Sequence, residues 1–284
     1  MRFIKEFETK VEDTIKKYKL INKRDKVIVA CSGGKDSTTA LYLLHKFGYN
    51  IEALTINLLI GEWSKKNLEN LTFFCKRLGI KLHVINIRSL FGSSICYIRS
   101  VIKSNQRLKN CTICGIIKRW ILNKMARDLK ATKLATGHNL DDEAETIMMN
   151  LFKGNPWLSL NLGPKTGVIR NKKFVPRVKP LYFCKSEEIK YYSKIMKFPV
   201  VYEPCPCSVE AFRKSVRKFL KKLEDYNPNI KYNIVNNFIR ILPRLREFYV
   251  KYDNVKYCKI CEEPTRRDIC KMCELITNFE NSPK

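Results

Sequence analysis

Acidic residues are scarce in this chain: 27 Asp and Glu stand against 55 Lys and Arg, a formal net charge of +28. Such an excess favours a polyanionic partner, because neutralising phosphates releases condensed counterions. Lysine, asparagine and isoleucine are all abundant, so part of the excess is general composition. No run approaches the roughly 20 apolar residues that a membrane helix requires. A secretory signal is missing too: MRFIKEFETKVEDTIKKYKLI carries acids throughout and lacks a small-residue cleavage site. The expected compartment is the cytoplasm, where twelve cysteines are metal ligands or reactive thiols rather than disulfides. No internal repeat is present.

What is there suffices for a large folded core. Hydrophobic residues make up 45% of 284, enough for one large α/β domain and a small accessory module. Phe3, Phe7, Val11 and Ile15 recur at four-residue intervals and predict an amphipathic opening helix. Strands are predicted at 26–31, 51–57, 81–87 and 132–136, alternating with helices at 36–48, 64–78, 111–129 and 140–153. That alternation implies right-handed crossovers and a doubly wound parallel sheet. Residues 154–180 read as a loop rich in Gly, Pro, Lys and Arg. Helices fill 186–250, with breaks or kinks at Pro228 and Pro243. The expected units are an N-terminal helix (1–22), an α/β domain (23–185), a basic helical region (186–253) and a four-cysteine module (254–275).

The stretch VIVACSGGKDSTTALYLL, residues 27–44, is an apolar run, a glycine-rich break and an apolar helical pattern. The commonest phosphate loop places four residues between its first glycine and its Gly-Lys pair; here Gly33 and Gly34 abut Lys35 directly. The turn still suits an anion. The glycines let backbone amides approach, Lys35 adds charge, and Ser32 and Ser37 add hydroxyls at a helix N-terminus. Asp36 in that setting binds magnesium or caps the helix. SGGKDS after an apolar strand resembles the pyrophosphate-loop ATPases, which split ATP between the α and β phosphates and place AMP on a carbonyl or carboxylate. A second stretch, ATGHNLDDEAET, follows the last strand. Gly137 permits close backbone approach, and Asp141, Asp142 and Glu143 exceed what a helix cap needs. Within those ATPases it looks like the subset that modifies tRNA.

Cysteine spacing narrows the choice. Cys111 and Cys114 form one CxxC, which is a redox pair, half a zinc site or two ligands of a cluster. Cys205 and Cys207 follow in PCPCS. Three converging thiolates would leave one iron of a 4Fe-4S cube without a protein ligand, open to an external sulfide. Cys31, Cys75, Cys96 and Cys184 sit in or beside apolar runs and are read as buried structural thiols. FETKVEDTIKKYKLI, VACSGGKDS, CTICGIIKR, ATGHNLDDEAET, PCPCS and the terminal cysteine pairs together resemble the tRNA 2-thiouridine synthetases across nearly the whole chain.

The resemblance implies that ATP adenylates the uracil C2 oxygen and that sulfur then displaces AMP. It maps the catalytic set to Asp36, Lys118 and Asp142, and the ATP contacts to Ala30, Ser32, Ile56 and Gly137 around the turn Ser32–Ser37. It maps the cluster ligands to Cys111, Cys114 and Cys205, with Cys207 a bystander. Implied cofactors are ATP, Mg2+, a 4Fe-4S cluster and Zn2+. Implied partners are tRNA and a sulfur donor, either sulfide or a ubiquitin-like thiocarboxylate carrier, with no membrane; a homodimer is one assembly left open. These enzymes commonly begin with a zinc-binding module ahead of the first helix, whereas this chain starts at the helix, which leaves part of the tRNA grip in question.

At the other end, Cys258 and Cys261, then Cys270 and Cys273, are two CxxC pairs eight residues apart, the spacing of a tetrahedral zinc site. So few apolar residues accompany them that the segment needs its metal to fold. Lys259, Arg266, Arg267 and Lys271 suit RNA phosphates. Arg213, Arg217 and Lys221 share a helix face beside Lys214, Lys218 and Lys222, opposite Phe212, Val216, Phe219, Leu220 and Leu223, and are assigned to phosphate tracking. His45, His83 and His138 lack ligand spacing and are read as structural, His138 near the nucleotide. Two rival readings remain: a persulfide carried by Cys111, Cys114 or Cys205 without a cluster, and a non-catalytic zinc-dependent RNA scaffold.

Overall fold

A computed structural model describes residues 2–105, 108–166, 173–207, 212–249 and 255–280. Parts of five expectations lie outside these: Met1 of the N-terminal unit, 167–172 of the basic loop, Ser208 of PCPCS, 208–211 and 250–253 of the basic helical region, and Asn254 of the cysteine module. The amphipathic α1 (Arg2–Lys17) precedes β1 (Lys26–Ala30), α2 (Lys35–Lys46), β2 (Asn50–Asn57), α3 (Gly61–Leu78) and β3 (Leu82–Asn86). Then come α4 (Ile87–Phe91), α5 (Ile95–Asn105), α6 (Asn110–Asp128), β4 (Lys133–Thr136) and α7 (Leu140–Phe152). Short strands β5 (Lys165–Thr166) and β6 (Arg177–Val178) lead to α8 (Ser186–Ile195), α9 (Phe212–Glu224) and α10 (Ile230–Tyr249). The hairpin β7 (Lys256–Tyr257) and β8 (Pro264–Thr265) and helix α11 (Lys271–Glu280) close the described chain.

The sheet runs β3-β2-β1-β4-β6-β5, parallel except for β5 against β6. Its order reverses at β1, which pairs β2 on one side and β4 on the other, so the ligand crevice lies at the C-terminal ends of β1 and β4. Both sheet faces are covered, which explains the unbroken apolar run of β1. Val27 and Val29 enter a core with α1, α2 and α8, while Ile28 points oppositely into a core with Leu54, Ala126 and Leu134. Phe7, Val11 and Ile15 of α1 are buried there as their spacing predicts. Two further cores set the functional parts. One joins α5, α6 and α11 beneath the cysteines, through Ile98, Ile102, Ile113, Ile117 and Leu275. The other joins α7, α9 and α10 through Ala144, Val216, Leu220, Val235 and Leu242.

Two sequence expectations need correction. The 154–180 segment contains β5 and β6, two-residue strands too short to carry a period. The 186–250 region is not helical throughout: residues 196–207, after α8, form turns and irregular backbone. Of the two outcomes expected at Pro243, a break is excluded, since α10 continues through it.

Candidate active site

Strand β1 ends at Ala30 and delivers the turn to the sheet's reversal point. The Ser37 hydroxyl accepts from the Ser32 amide at 3.1 Å and donates to the Gly34 carbonyl at 3.1 Å, tying the turn into a closed ring. Gly33 adopts φ +79°, and a Cβ there would lie 2.8 Å from the Asn67 carbonyl oxygen. Only glycine fits both demands. Lys35 Nζ lies 2.6 Å from Asp36 Oδ1 and donates to Ser186 Oγ at 2.8 Å. Asn139 Nδ2 also donates to Asp36 Oδ1, at 3.0 Å.

After β4, Gly137 brings the second motif against the first, and Asn139 opens α7 with a capping box to Asp142. Between them is a cavity of about 480 Å³ lined by Ala30, Ser32, Asp36, Ser37, Ile56, Lys118, Gly137 and Asp142, among others. Thus eight expected residues meet at one cavity. Gly33, Gly34 and Lys35 form the turn at its edge.

The cavity suits a nucleotide and a divalent cation. Asn67 Oδ1 is buried there without a hydrogen-bond partner, an acceptor waiting for a donor. Burial pushes the Asp36 carboxyl up, Lys35 draws it back, and the Asp142 charge adds to the rise. Two carboxylates that repel one another are relieved by a shared cation. Desolvation and the cations Lys179, Arg213, Arg177 and Arg119 hold the His138 imidazole far below its ordinary range, so it stays neutral.

The cysteine set stands on the far side of Lys118. Cys111 is exposed and Cys114 buried, at the start of α6, and Cys205 is half-buried on the 196–207 segment. That segment is held down by Trp63, whose Nε1 donates to the Glu203 carbonyl at 3.2 Å. Burial pushes the Cys114 thiol up, while Lys118 and Arg99 pull it down and Cys111 and Cys207 push it further. Cys205 is likewise raised by burial, with Cys207, Cys114 and Lys118 as its charged neighbours. Cys114 thus has Cys111 among its charged neighbours and Cys205 has Cys114 among its own, while Lys118 faces Cys114 and Cys205 and also lines the cavity.

Arg99 supplies the test of fit. It is 5% exposed, and among the described residues it has no carboxylate partner; Nη2 donates to Cys96 Sγ at 3.1 Å and to Cys207 Sγ at 3.0 Å. Its Nε donates to the Ile95 carbonyl at 3.2 Å, so the buried cation has a carbonyl and two sulfurs but no acid, and needs negative charge, which a cluster on cysteine thiolates would supply. Cys96, expected to be buried, is exposed: it starts α5 one turn before Arg99 and faces that guanidinium.

The C-terminal cysteines also meet. Cys258, Cys261, Cys270 and Cys273 place their sulfurs within 4.8 Å of one another. The Cys270 amide donates to Cys258 Sγ at 3.3 Å and the Cys273 amide to Cys270 Sγ at 3.4 Å. The module is anchored by buried Glu263, which accepts from Asn123 at 3.0 Å and pairs with Arg127. Lys259 is paired with Asp268, and Arg267 and Lys271 with Glu274, all on the surface.

The basic helix is not a free cationic face. Arg217 Nε lies 2.6 Å and Arg213 Nη1 3.2 Å from Glu145, whose side chain is buried. Arg213 also donates to the Asp142 carbonyl at 3.2 Å. Two of the six cations therefore clamp α9 to the helix that carries Asp142. Sequence reasoning also missed Asn139, Asn67, Ser186 and Arg99. Asn139 had a signal, standing three residues before Asp142 in a capping-box pattern; the others had none.

A parallel sheet with an anion-cradling turn after β1 and a close-approach glycine after β4 defines a pyrophosphate-loop nucleotide-binding fold. The PP-loop domain family matches residues 4–224. The tRNA-5-methyluridine(54) 2-sulfurtransferase of Pyrococcus horikoshii is 37% identical over 268 residues, 94% of this chain and 84% of that protein. The tRNA 2-thiolation protein NcsA of Haloferax volcanii is 29% identical over 265 residues, 89% and 82% of the two chains. Among solved structures, the U34-tRNA thiolase NcsA of Methanococcus maripaludis, determined with its 4Fe-4S cluster, is similar with a TM-score of 0.80. It is 29% identical, across 97% of this chain and 88% of that one. The chain belongs to the tRNA 2-thiouridine synthetase family of PP-loop enzymes.

Proposed function

We propose that the chain is a cytoplasmic tRNA sulfurtransferase that replaces the C2 oxygen of a tRNA uridine with sulfur, using ATP. The observation that carries this reading is Lys118, which lines the nucleotide cavity and lies within electrostatic reach of Cys114 and Cys205. A scaffold that merely bound RNA would need no such junction. Twelve cysteines with no disulfide among the described residues suit a reducing compartment.

Uracil C2 is a poor electrophile, so its oxygen must first become a leaving group. Attack of O2 on the α-phosphorus of ATP forms the O–P bond and releases pyrophosphate. Sulfide then forms the C–S bond at C2, and the C–O bond breaks to release AMP. The Ser32–Ser37 turn and Lys35 hold the pyrophosphate at the α2 N-terminus. Asp36 and Asp142 would hold magnesium, which neutralises the polyphosphate when bound. Lys118 meets charge developing on the α-phosphate. Cys111, Cys114 and Cys205 would hold the cluster, whose open iron supplies a positioned sulfur when bound. The sulfur donor is sulfide or a ubiquitin-like thiocarboxylate carrier, and the four C-terminal cysteines bind zinc. Trp63 and Arg99 fix the cysteine-bearing segments, and the Arg213–Glu145 clamp fixes Asp142.

The test is anaerobic incubation of cluster-loaded protein with unmodified tRNA transcript, ATP and sulfide, followed by nucleoside mass spectrometry. The expected product is one 2-thiouridine per tRNA with stoichiometric AMP and pyrophosphate. Loaded protein that forms none overturns the reading. The position of the product separates a T-loop uridine from a wobble uridine.

A further inference from the structure

Among the described residues, five buried side-chain atoms lack a hydrogen-bond partner, and of these Asn67 Oδ1 alone belongs to the wall of the nucleotide cavity. Asn67 stands in the second turn of α3 and is 4% exposed. Its amide cannot turn over to hide the oxygen. Nδ2 donates to the Trp63 carbonyl at 2.7 Å, and the reverse orientation would set two acceptors face to face. A buried acceptor left unpaired costs free energy. Its place in a binding cavity therefore points to a donor on the ligand.

The structure assigns Asn67 to the sugar of bound ATP: its Oδ1 accepts a hydrogen bond from a ribose hydroxyl. This rests on reading the cavity as an ATP site. Two sides of that cavity differ in charge. β2, α3 and the link between them supply Ile56, Leu58, Trp63 and Leu68 beside Asn67, and none of their lining side chains is charged. Lys118, Arg119 and Asp142 come from α6 and α7, across β1 on the β4 side. The polyphosphate belongs with the turn and the charged side, which leaves the uncharged nucleoside against β2 and α3. Within a nucleoside the sugar is joined to the phosphates, and the adenine amino group is at the far end. Asn67 Oδ1 borders the anion turn, since a Cβ on Gly33 would lie 2.8 Å from it. An acceptor that close to the turn meets the sugar rather than the amino group. Holding the sugar fixes the α-phosphorus that uracil O2 attacks, and it favours ribonucleotides over deoxyribonucleotides.

The test is titration calorimetry without tRNA, using ATP, 2′-deoxy-ATP, 3′-deoxy-ATP and purine riboside triphosphate, which lacks the amino group. Wild-type protein should bind at least one deoxy nucleotide about tenfold more weakly than ATP, the scale of one hydrogen bond. Asn67→Ala should bind ATP about tenfold more weakly than the wild type and no longer distinguish it from that deoxy nucleotide. Asn67→Asp keeps an oxygen in place, so its ratio of affinities should persist whatever its overall affinity. Asn67→Leu, close to asparagine in size, repeats the alanine measurement if alanine loosens α3. Wild-type protein that binds ATP and both deoxy nucleotides equally well overturns the contact, as does discrimination that survives in Asn67→Ala and Asn67→Leu. Sensitivity to the amino group that disappears in Asn67→Ala moves the contact to the base. Weakened magnesium dependence in that variant moves it to a metal-bound water. Either result overturns the sugar assignment. Wild-type protein that binds no ATP brings down the site reading itself, whereas sugar discrimination without thiouridine formation sinks the reaction and leaves the contact standing.

Discussion

Gly137 lies so close to the backbone of the first motif that a Cβ on it would sit 2.6 Å from the Ser37 amide nitrogen and 2.7 Å from the Asp36 carbonyl carbon. Those are main-chain atoms of the turn that receives the nucleotide, so no rotamer change relieves the overlap. Gly137→Ala must push apart the ends of β1 and β4. Overpacking of this kind costs about 1–3 kcal/mol, and the displaced turn is the binding site itself. We expect a urea midpoint shift of that size and loss of ATP affinity by about tenfold or more. Titration calorimetry showing wild-type affinity would separate the glycine from nucleotide binding.

Lys35 and Asp36 are expected to act on chemistry more than on folding. Their side chains are partly buried rather than fully exposed, and they bond mainly to each other, Ser186 and Asn139. Lys35→Ala or Asp36→Ala removes a charge placed beside the polyphosphate, and such a loss lowers turnover about a hundredfold or more. Circular dichroism should match the wild type while ATP-dependent thiolation falls by that factor. Wild-type turnover in either variant removes the pyrophosphate-loop assignment.

The strand, turn and helix of residues 26–46 were legible because β1 is buried on both faces and its turn has a distinctive spelling. The assignment of Cys111, Cys114 and Cys205 as one ligand set came only through family resemblance, since spacing alone left a CxxC ambiguous. Two cations assigned to phosphate tracking, Arg213 and Arg217, serve elsewhere, for a physical reason. Glu145 lies 68 and 72 residues from Arg213 and Arg217, so nothing local shows that it neutralises them. Arg99 stands among apolar residues in α5, and only the fold shows that it faces two sulfurs.

Zinc in the C-terminal module predicts one metal per chain. Its sulfurs face one another and pack into the same core as Ile113 and Cys114. Changing Cys258 and Cys261 to serine should remove the zinc and speed hydrogen exchange across 255–280. The loosening should extend to α5 and α6, which share that core. Freshly made protein without zinc would defeat the assignment.

Cluster and persulfide chemistry part company at the four central cysteines. A cube needs Cys111, Cys114 and Cys205 together, because two thiolates hold iron poorly. Alanine at any one of them should bleach the visible absorbance and lower thiouridine yield by similar factors. Cys207 accepts a hydrogen bond from Arg99 at 3.0 Å, and Cys96 accepts from the same nitrogen. Cys207→Ala therefore leaves Arg99 one sulfur partner and the three ligands intact, so it should retain most iron and activity. A persulfide route predicts another pattern, with activity in iron-free protein and unequal effects at carrier and resolving cysteines. The measurement is anaerobic reconstitution of all four single variants, scored for iron, labile sulfide and thiouridine formed with added sulfide. Full activity without iron would end the cluster reading while leaving the ATP chemistry in place. Iron lost by Cys207→Ala and kept by Cys205→Ala would move the third ligand two residues along the chain, to the sulfur that Arg99 already holds.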